Sequence, residues 1–177
     1  MNPILIDNIK KFEDERGLFY ESYKESHLRE NFGITEKFVQ DNFSISDKNT
    51  IRGLHYQWDK PMGKLVRVPV GSIIDVVVDI RSDSNTFGKV SYFELNEGNL
   101  SQLYVPPGFA HGFVCISENC IVTYKCTSEY NKQGESGISP FDKSLNVKWG
   151  IGYNDAIMSE KDKKAKSFKE YAREAKF

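Results

Sequence analysis

A chain of 177 residues fits one domain, and with 39% apolar and 13% aromatic residues it can fill a sizeable core. Its 24 Lys and Arg against 25 Asp and Glu leave no global basic field, which argues against nucleic acid as a partner, although a small anion held by a few converging cations stays open. The apolar patch near the N-terminus is too short for a signal-peptide core and no apolar run approaches a membrane span, so the chain is expected in the cytoplasm and off the membrane.

Taken in chain order, Glu25 to Asn31 reads as a short polar helix with Ser26 as a cap candidate. Leu65 to Val70 and Ile73 to Ile80 are β-branched runs joined at Gly71-Ser72, a hairpin signal. Lys89 to Leu95 alternates apolar and polar residues and ends in the turn cluster Asn96 to Asn99. Leu103 to Val105 runs into Pro106-Pro107-Gly108, after which Gly112 to Ile116 and Cys120 to Cys126 are expected to pair as strands. Ser159 to Lys176 reads as a C-terminal helix, with Ser159 as cap, Asp162 in the capping-box position and a solvated lysine-rich face. Short strands with turns every eight to twelve residues indicate an all-β sandwich or barrel with a few peripheral helices, with 1–177 as a single domain.

Three cysteines (Cys115, Cys120, Cys126) without a CxxC spacing read as small buried thiols of a reduced protein. Two of the three histidines sit in unusual company. His55 follows Arg52 in a strand-like segment where the two would face opposite ways, unless Gly53 makes a bulge that re-aims one of them. His111 follows a rigid Pro-Pro-Gly turn between Phe109 and Phe113. Taken alone, either histidine reads first as a satisfied structural residue. Lys64, Asp75, Asp79, Gln40 and Asn42 also lie in or beside apolar strands, where burial is costly unless each is paired. A structural network such as Asp79 with Arg81 or Arg67 explains some of them; a barrel lumen lined by polar groups explains all. A metal in that lumen is argued against, because His55 is followed by Gln57 rather than by the second histidine of a His-x-His pair, and His27 falls on the surface helix.

The strings FEDERGLFYE (Phe12 to Glu21), QDNFS (Gln40 to Ser44), RGLHYQ (Arg52 to Gln57), GKLV (Gly63 to Val66), DVVVDIR (Asp75 to Arg81), SNTFG (Ser84 to Gly88), PPGFAHGF (Pro106 to Phe113), Tyr124-Lys125 and SEKD (Ser159 to Asp162) together resemble the dTDP-4-dehydrorhamnose 3,5-epimerase family. The resemblance implies a cupin-type jelly-roll barrel with an open lumen, and a homodimer in which N-terminal strands complete the partner's sheet. It also implies a nucleotide-diphosphate 4-keto-6-deoxy sugar as substrate, on the way to a surface polysaccharide. C–H bonds alpha to a C4 ketone are weakly acidic, and inversion needs a base, an oxyanion stabiliser and an opposed acid, with no metal or redox cofactor. By the resemblance, His55 is the base, Asp162 orients it, Lys64 meets the developing enolate oxygen and Tyr130 is the proton donor on the opposite face. Without the family, Tyr130 would read as a turn-edge tyrosine. Arg16, Glu21, Gln40, Asn42, Arg52, His111 and Lys161 match nucleotide-sugar-binding positions, and Phe19 serves either to stack on the ligand or to pack the core.

Two departures bear on the substrate. Many family members carry Trp at Pro140 and an acidic or amide residue at Phe141, a segment expected near the substrate, and the loop from Trp149 to Ser159 is short. The readings left open are therefore full 3,5-epimerisation of a dTDP-linked sugar, inversion at C3 or C5 alone, the same chemistry on a GDP-linked 4-keto heptose, and a non-catalytic sugar-binding cupin.

Overall fold

The computed structural model describes residues 1–177, folded into twelve strands and three short helices. In chain order these are β1 (Ile4–Ile6), β2 (Lys11–Asp14), β3 (Gly17–Tyr20), α1 (Glu25–Phe32), β4 (Gln40–Asp47), β5 (Ile51–Gln57), β6 (Lys64–Val70), β7 (Ser72–Asp79) and β8 (Val90–Asn96). They continue with β9 (Gln102–Val105), β10 (Phe109–Cys115), β11 (Asn119–Cys126), β12 (Glu135–Gly137), α2 (Glu160–Lys163) and α3 (Phe168–Arg173). One antiparallel sheet runs β1-β9-β6-β11-β4 and a second runs β12-β5-β10-β7-β8, while β2 and β3 form a separate hairpin. The architecture is the expected all-β jelly roll, with the two sheets not closed into a continuous barrel.

The inner faces of both sheets meet in one core: Val66 and Val68 from β6 and Val122 from β11 pack with Ile73 and Val77 from β7 and Phe113 from β10. The outer face of the second sheet is also buried, beneath Ile138, Leu145, Val147, Trp149 and Tyr171 of the C-terminal third. Burial on both faces explains why β7 and β10 read as nearly continuous apolar runs, broken only at their polar ends and at Asp75 and His111, instead of alternating ones. A third, smaller core forms where Leu28 of α1 meets Ile6, Ile34, Leu65 and Tyr104.

Two strand pairings expected from the sequence are corrected. Gly71 does turn the chain, at φ 78°, but β6 and β7 enter opposite sheets instead of forming a hairpin. Likewise β10 pairs with β5 and β7, and β11 with β4 and β6, so these two neighbours in sequence do not pair with each other. A turn residue marks a reversal, and only burial on both sides decides which sheet the next strand joins. The caps are corrected as well. α1 begins after Lys24, which makes no side-chain cap bond, so Ser26 lies inside the first turn. The C-terminal helix is two helices, and the full capping box belongs to Ser167 and Glu170 of α3. Ser159 does accept a hydrogen bond from the Asp162 N–H at 3.1 Å, but the Asp162 carboxylate points elsewhere.

The bulge expected at Gly53 is present. Between the pairs His55–His111 and Arg52–Phe113, β5 spends three steps where β10 spends two. Gly53 sits at φ 140°, and a Cβ there would come within 2.5 Å of the Gly112 Cα. The extra residue turns both Arg52 and His55 toward one cavity. Gly53→Ala is expected to lower the unfolding free energy by about 2–4 kcal/mol, read as a fall in the urea midpoint. A shift within about 0.5 kcal/mol would mean that the backbone yields there without cost.

Candidate functional site

A cavity of about 790 Å³ opens between β4, β5, β6, β10 and β11 on the sheets and the segment 157–162. His55, Lys64, Tyr130, Asp162, Gln40, Asn42, Arg52, His111 and Lys161 all border it, so nine of the twelve residues expected in a site converge.

His55 is half-buried, and its Nε2 lies 2.6 Å from Oδ1 of Asp162, which is 6% exposed. Burial would raise the Asp162 carboxyl, but the hydrogen bond and charge of His55, with the Ser159 hydroxyl and the Gly53 N–H, hold it below the usual carboxylate range. An ionised Asp162 must accept the proton of Nε2–H, which leaves the Nδ1 lone pair of a neutral His55 as the free base.

A second relay lies deeper. Nε2 of His111 is 2.9 Å from both oxygens of Asp75, a fully buried carboxylate, and its Nδ1 is 3.4 Å from Nζ of Lys64. Burial pushes the His111 imidazole down, outweighing the attraction of Asp75, and the Lys64 charge adds to the fall. His111 is therefore neutral, donating to Asp75 and accepting from Lys64. Burial also pushes the Lys64 ammonium below its usual value, against the pull of the Cys126 thiol and of Asp75 and Glu135. The result is one cation, aimed by a neutral imidazole at the lumen.

On the rim, the Tyr130 hydroxyl donates to Oε2 of Glu135 at 2.8 Å, and Lys161 Nζ reaches the same oxygen at 2.6 Å. The hydrogen bond to Glu135 raises the Tyr130 phenol above its usual value. Burial would raise Glu135, yet Lys161 and Tyr130 together hold it below the carboxylate range. The Tyr130 backbone N–H is fixed by Gln40 Oε1 at 2.8 Å, and Gln40 Nε2 donates to Asn42 at 2.9 Å. Arg52 donates to the Ser46 hydroxyl and to the Ile45 carbonyl, both at 3.0 Å, with guanidinium protons to spare.

Glu135 was not singled out from the sequence. It lies in a three-residue strand with no periodicity, and its only signal is that a carboxylate there must find a partner. Three expected residues stay outside the cavity. Arg16 pairs with Asp14 at 2.6 Å at the tip of the β2–β3 hairpin, Phe19 is 65% exposed, and Glu21 lies near Lys24. Pro140 and Phe141 are off the cavity too, which corrects the expectation that they flank the ligand. The Pro140 carbonyl accepts the Trp149 indole N–H at 2.7 Å, and Phe141 packs edge-on to Tyr153. Asp79 is also outside, bound to Arg81, Ser84 and Thr86 at 2.6 Å each, the structural network left open above. The three cysteines are buried and unpaired.

A two-sheet jelly roll whose lumen holds a carboxylate-oriented imidazole, a half-buried ammonium and a phenol defines an isomerase of the cupin-like epimerase class. The family model for dTDP-4-dehydrorhamnose 3,5-epimerase matches residues 1–170. The dTDP-4-dehydrorhamnose 3,5-epimerase of Methanothermobacter thermautotrophicus is 44% identical over 160 residues, 90% of this chain and 86% of that one. Among solved structures, the enzyme of that name from Elizabethkingia anophelis superposes with a TM-score of 0.88 at 46% identity, covering 95% of this chain and 92% of that one. A dTDP-6-deoxy-D-glucose-3,5-epimerase from Legionella pneumophila, solved with dTDP-4-keto-L-rhamnose, gives 0.88 at 41% identity over 95% and 94%. This chain belongs to the dTDP-4-dehydrorhamnose 3,5-epimerase family.

The folded value of Asp162 lies below its ordinary 3.8, so its contribution to stability is complete above that pH and is lost as pH falls through the folded value. Asp162→Asn should remove this part of the acid dependence. Urea unfolding between about pH 6 and about pH 3 is expected to fall less steeply for the variant than for the wild type. Parallel curves would mean that other carboxylates carry the whole acid limb.

Proposed function

We propose that residues 1–177 form one cytoplasmic epimerase domain that converts a dTDP-linked 4-dehydro-6-deoxyglucose into its 4-dehydrorhamnose isomer by inverting C3 and C5. The observation that carries this reading is that an oriented base (His55 with Asp162), a half-buried cation (Lys64) and a phenol (Tyr130) border a single cavity large enough for a sugar nucleotide. In this reading, Nδ1 of His55 removes the proton alpha to the ketone. Lys64 stabilises the enolate at O4, and its depressed ammonium is the better proton partner for that oxygen. Tyr130 then delivers a proton to the opposite face, which reverses the centre without any redox change. Arg52 and Lys161 serve the diphosphate, with Gln40, Asn42 and His111 shaping the pocket. The buried free cysteines fit a reducing compartment, and no helix is long and apolar enough to cross a membrane.

Run in D2O, the purified protein is expected to place solvent deuterium at both C3 and C5 of the sugar. His55→Ala should lower this exchange by about 10²–10⁴-fold. Exchange at one carbon only would select single-centre epimerisation, and exchange at neither would leave a sugar-binding cupin.

The hairpin supports a further part of the reading. Phe12, Leu18 and Phe19 are exposed there, on a two-stranded sheet that neither large sheet continues. A homodimer in which each hairpin carries Arg16, Phe19 and Glu21 to the partner's cavity would bury this surface and bring the three remaining residues to the ligand. Arg16→Ala and His55→Ala variants, each weak alone, should then complement when mixed under exchange. The mixture is expected to recover about a quarter of wild-type activity, because one site in half of the dimers would be intact. A mixture no better than the sum of the two variants would show that each cavity is built from one chain.

A further inference from the structure

Two inversions on one sugar impose a condition that a single inversion does not. Each one, as proposed above, leaves His55 as an imidazolium and Tyr130 as a phenolate. The second inversion then has neither base nor acid until a proton travels from one to the other. A sugar bound in the lumen would stand between them and close the direct path from one to the other.

Glu135 lies between the two groups. Its Oε2 accepts from the Tyr130 hydroxyl and from Lys161, while its Oε1 makes no hydrogen bond. On the β12–β5 pair, Glu135 stands opposite Gln57 and Gly137 opposite His55. Residues two apart on a strand share a face, so Glu135 and His55 are diagonal neighbours, at about 7–8 Å between Cα atoms, within reach of a glutamate. Gly137 puts no side chain between them. Both residues border the main cavity, and both also border a second cleft of about 740 Å³. Lys161 faces the same carboxylate, so a phenolate formed at Tyr130 would meet an ammonium as well as a carboxylate.

We propose that Glu135 returns the proton from His55 to Tyr130 between the two inversions, with Lys161 as the counter-charge; this rests on the epimerase reading. The imidazolium N–H bond breaks as an O–H bond forms on Oε1 of Glu135. The carboxyl then gives a proton to the phenolate oxygen of Tyr130. Imidazole, carboxylate and phenol are all restored, no net proton enters or leaves the site, and no co-reactant is consumed.

Glu135→Gln keeps an acceptor for the Tyr130 hydroxyl but cannot carry a proton. In a single turnover followed by rapid quench in D2O, the wild type should form the doubly inverted sugar without a lag, with deuterium at the first centre and protium from the substrate returned to the second. The variant should show a burst of one singly inverted sugar per active site, followed by a steady state about tenfold or more slower in which the second carbon takes deuterium from the solvent. Imidazole buffer should speed that slow phase and leave the wild type unchanged, and acetate should do the same for Glu135→Ala. The relay is overturned if either variant slows burst and steady state by the same factor, or if no burst appears, or if the added buffers have no effect. A wild type that exchanges neither carbon would overturn the epimerase reading itself, and the relay with it.

Discussion

The 2.6 Å hydrogen bond between His55 and Asp162 joins residues 107 positions apart, and much of the molecule is arranged to permit it. Asp162 reaches β5 only because the C-terminal third lies across the outer face of the second sheet, held by Trp149 and Tyr171 in the larger core. α2 begins at the Ser159 cap, and this fixes the turn that presents the Asp162 carboxylate. On the other side, the Gly53 bulge turns His55 to meet it. The core that stabilises the fold and the dyad proposed to remove a proton therefore share one cause.

The polar lumen would be a costly core for a protein without a ligand. Here three carboxylates in or behind the cavity each meet a group that can carry or share positive charge: Asp162 with His55, Asp75 with His111, and Glu135 with Lys161. Pairing of this kind offsets desolvation without contributing much net stability, so its retention points to chemistry. It also sorts the groups by role. The neutral His111 aims Lys64, while the ionised Asp162 leaves His55 a single free nitrogen. Phenol and imidazole then stand at separate places on the lumen wall, as opposed proton transfers require.

The β2–β3 hairpin is the part least explained by the rest of the chain. Its aromatic residues gain little from folding onto themselves, and the expected ligand residues it carries do not line the cavity. Pro140 and Phe141 differ in kind. They are integrated into the packing around Trp149 and Tyr153, so their departure from the family pattern is first a matter of how that segment packs.

The amino-acid sequence alone marks the strands from β6 to β11, the turn positions and nine of the residues that border the cavity. β-branched runs, Gly and Pro leave a local imprint, and the ordered strings from Phe12 to Asp162 carry the family resemblance. It also determined that Arg52 and His55 could share a face only through a bulge at Gly53, because strand alternation is a local rule. Pairing between distant segments is set by the folded chain as a whole. Gly71 announces a turn but not the change of sheet from β6 to β7, since that depends on which faces find cover. Ser159 announces a helix start, whereas the Asp162 carboxylate goes to His55, a partner that no local pattern encodes. Glu135 escaped sequence reading for the same reason. Its meaning lies in Tyr130 and Lys161, brought to one oxygen by a three-residue strand at the sheet's edge.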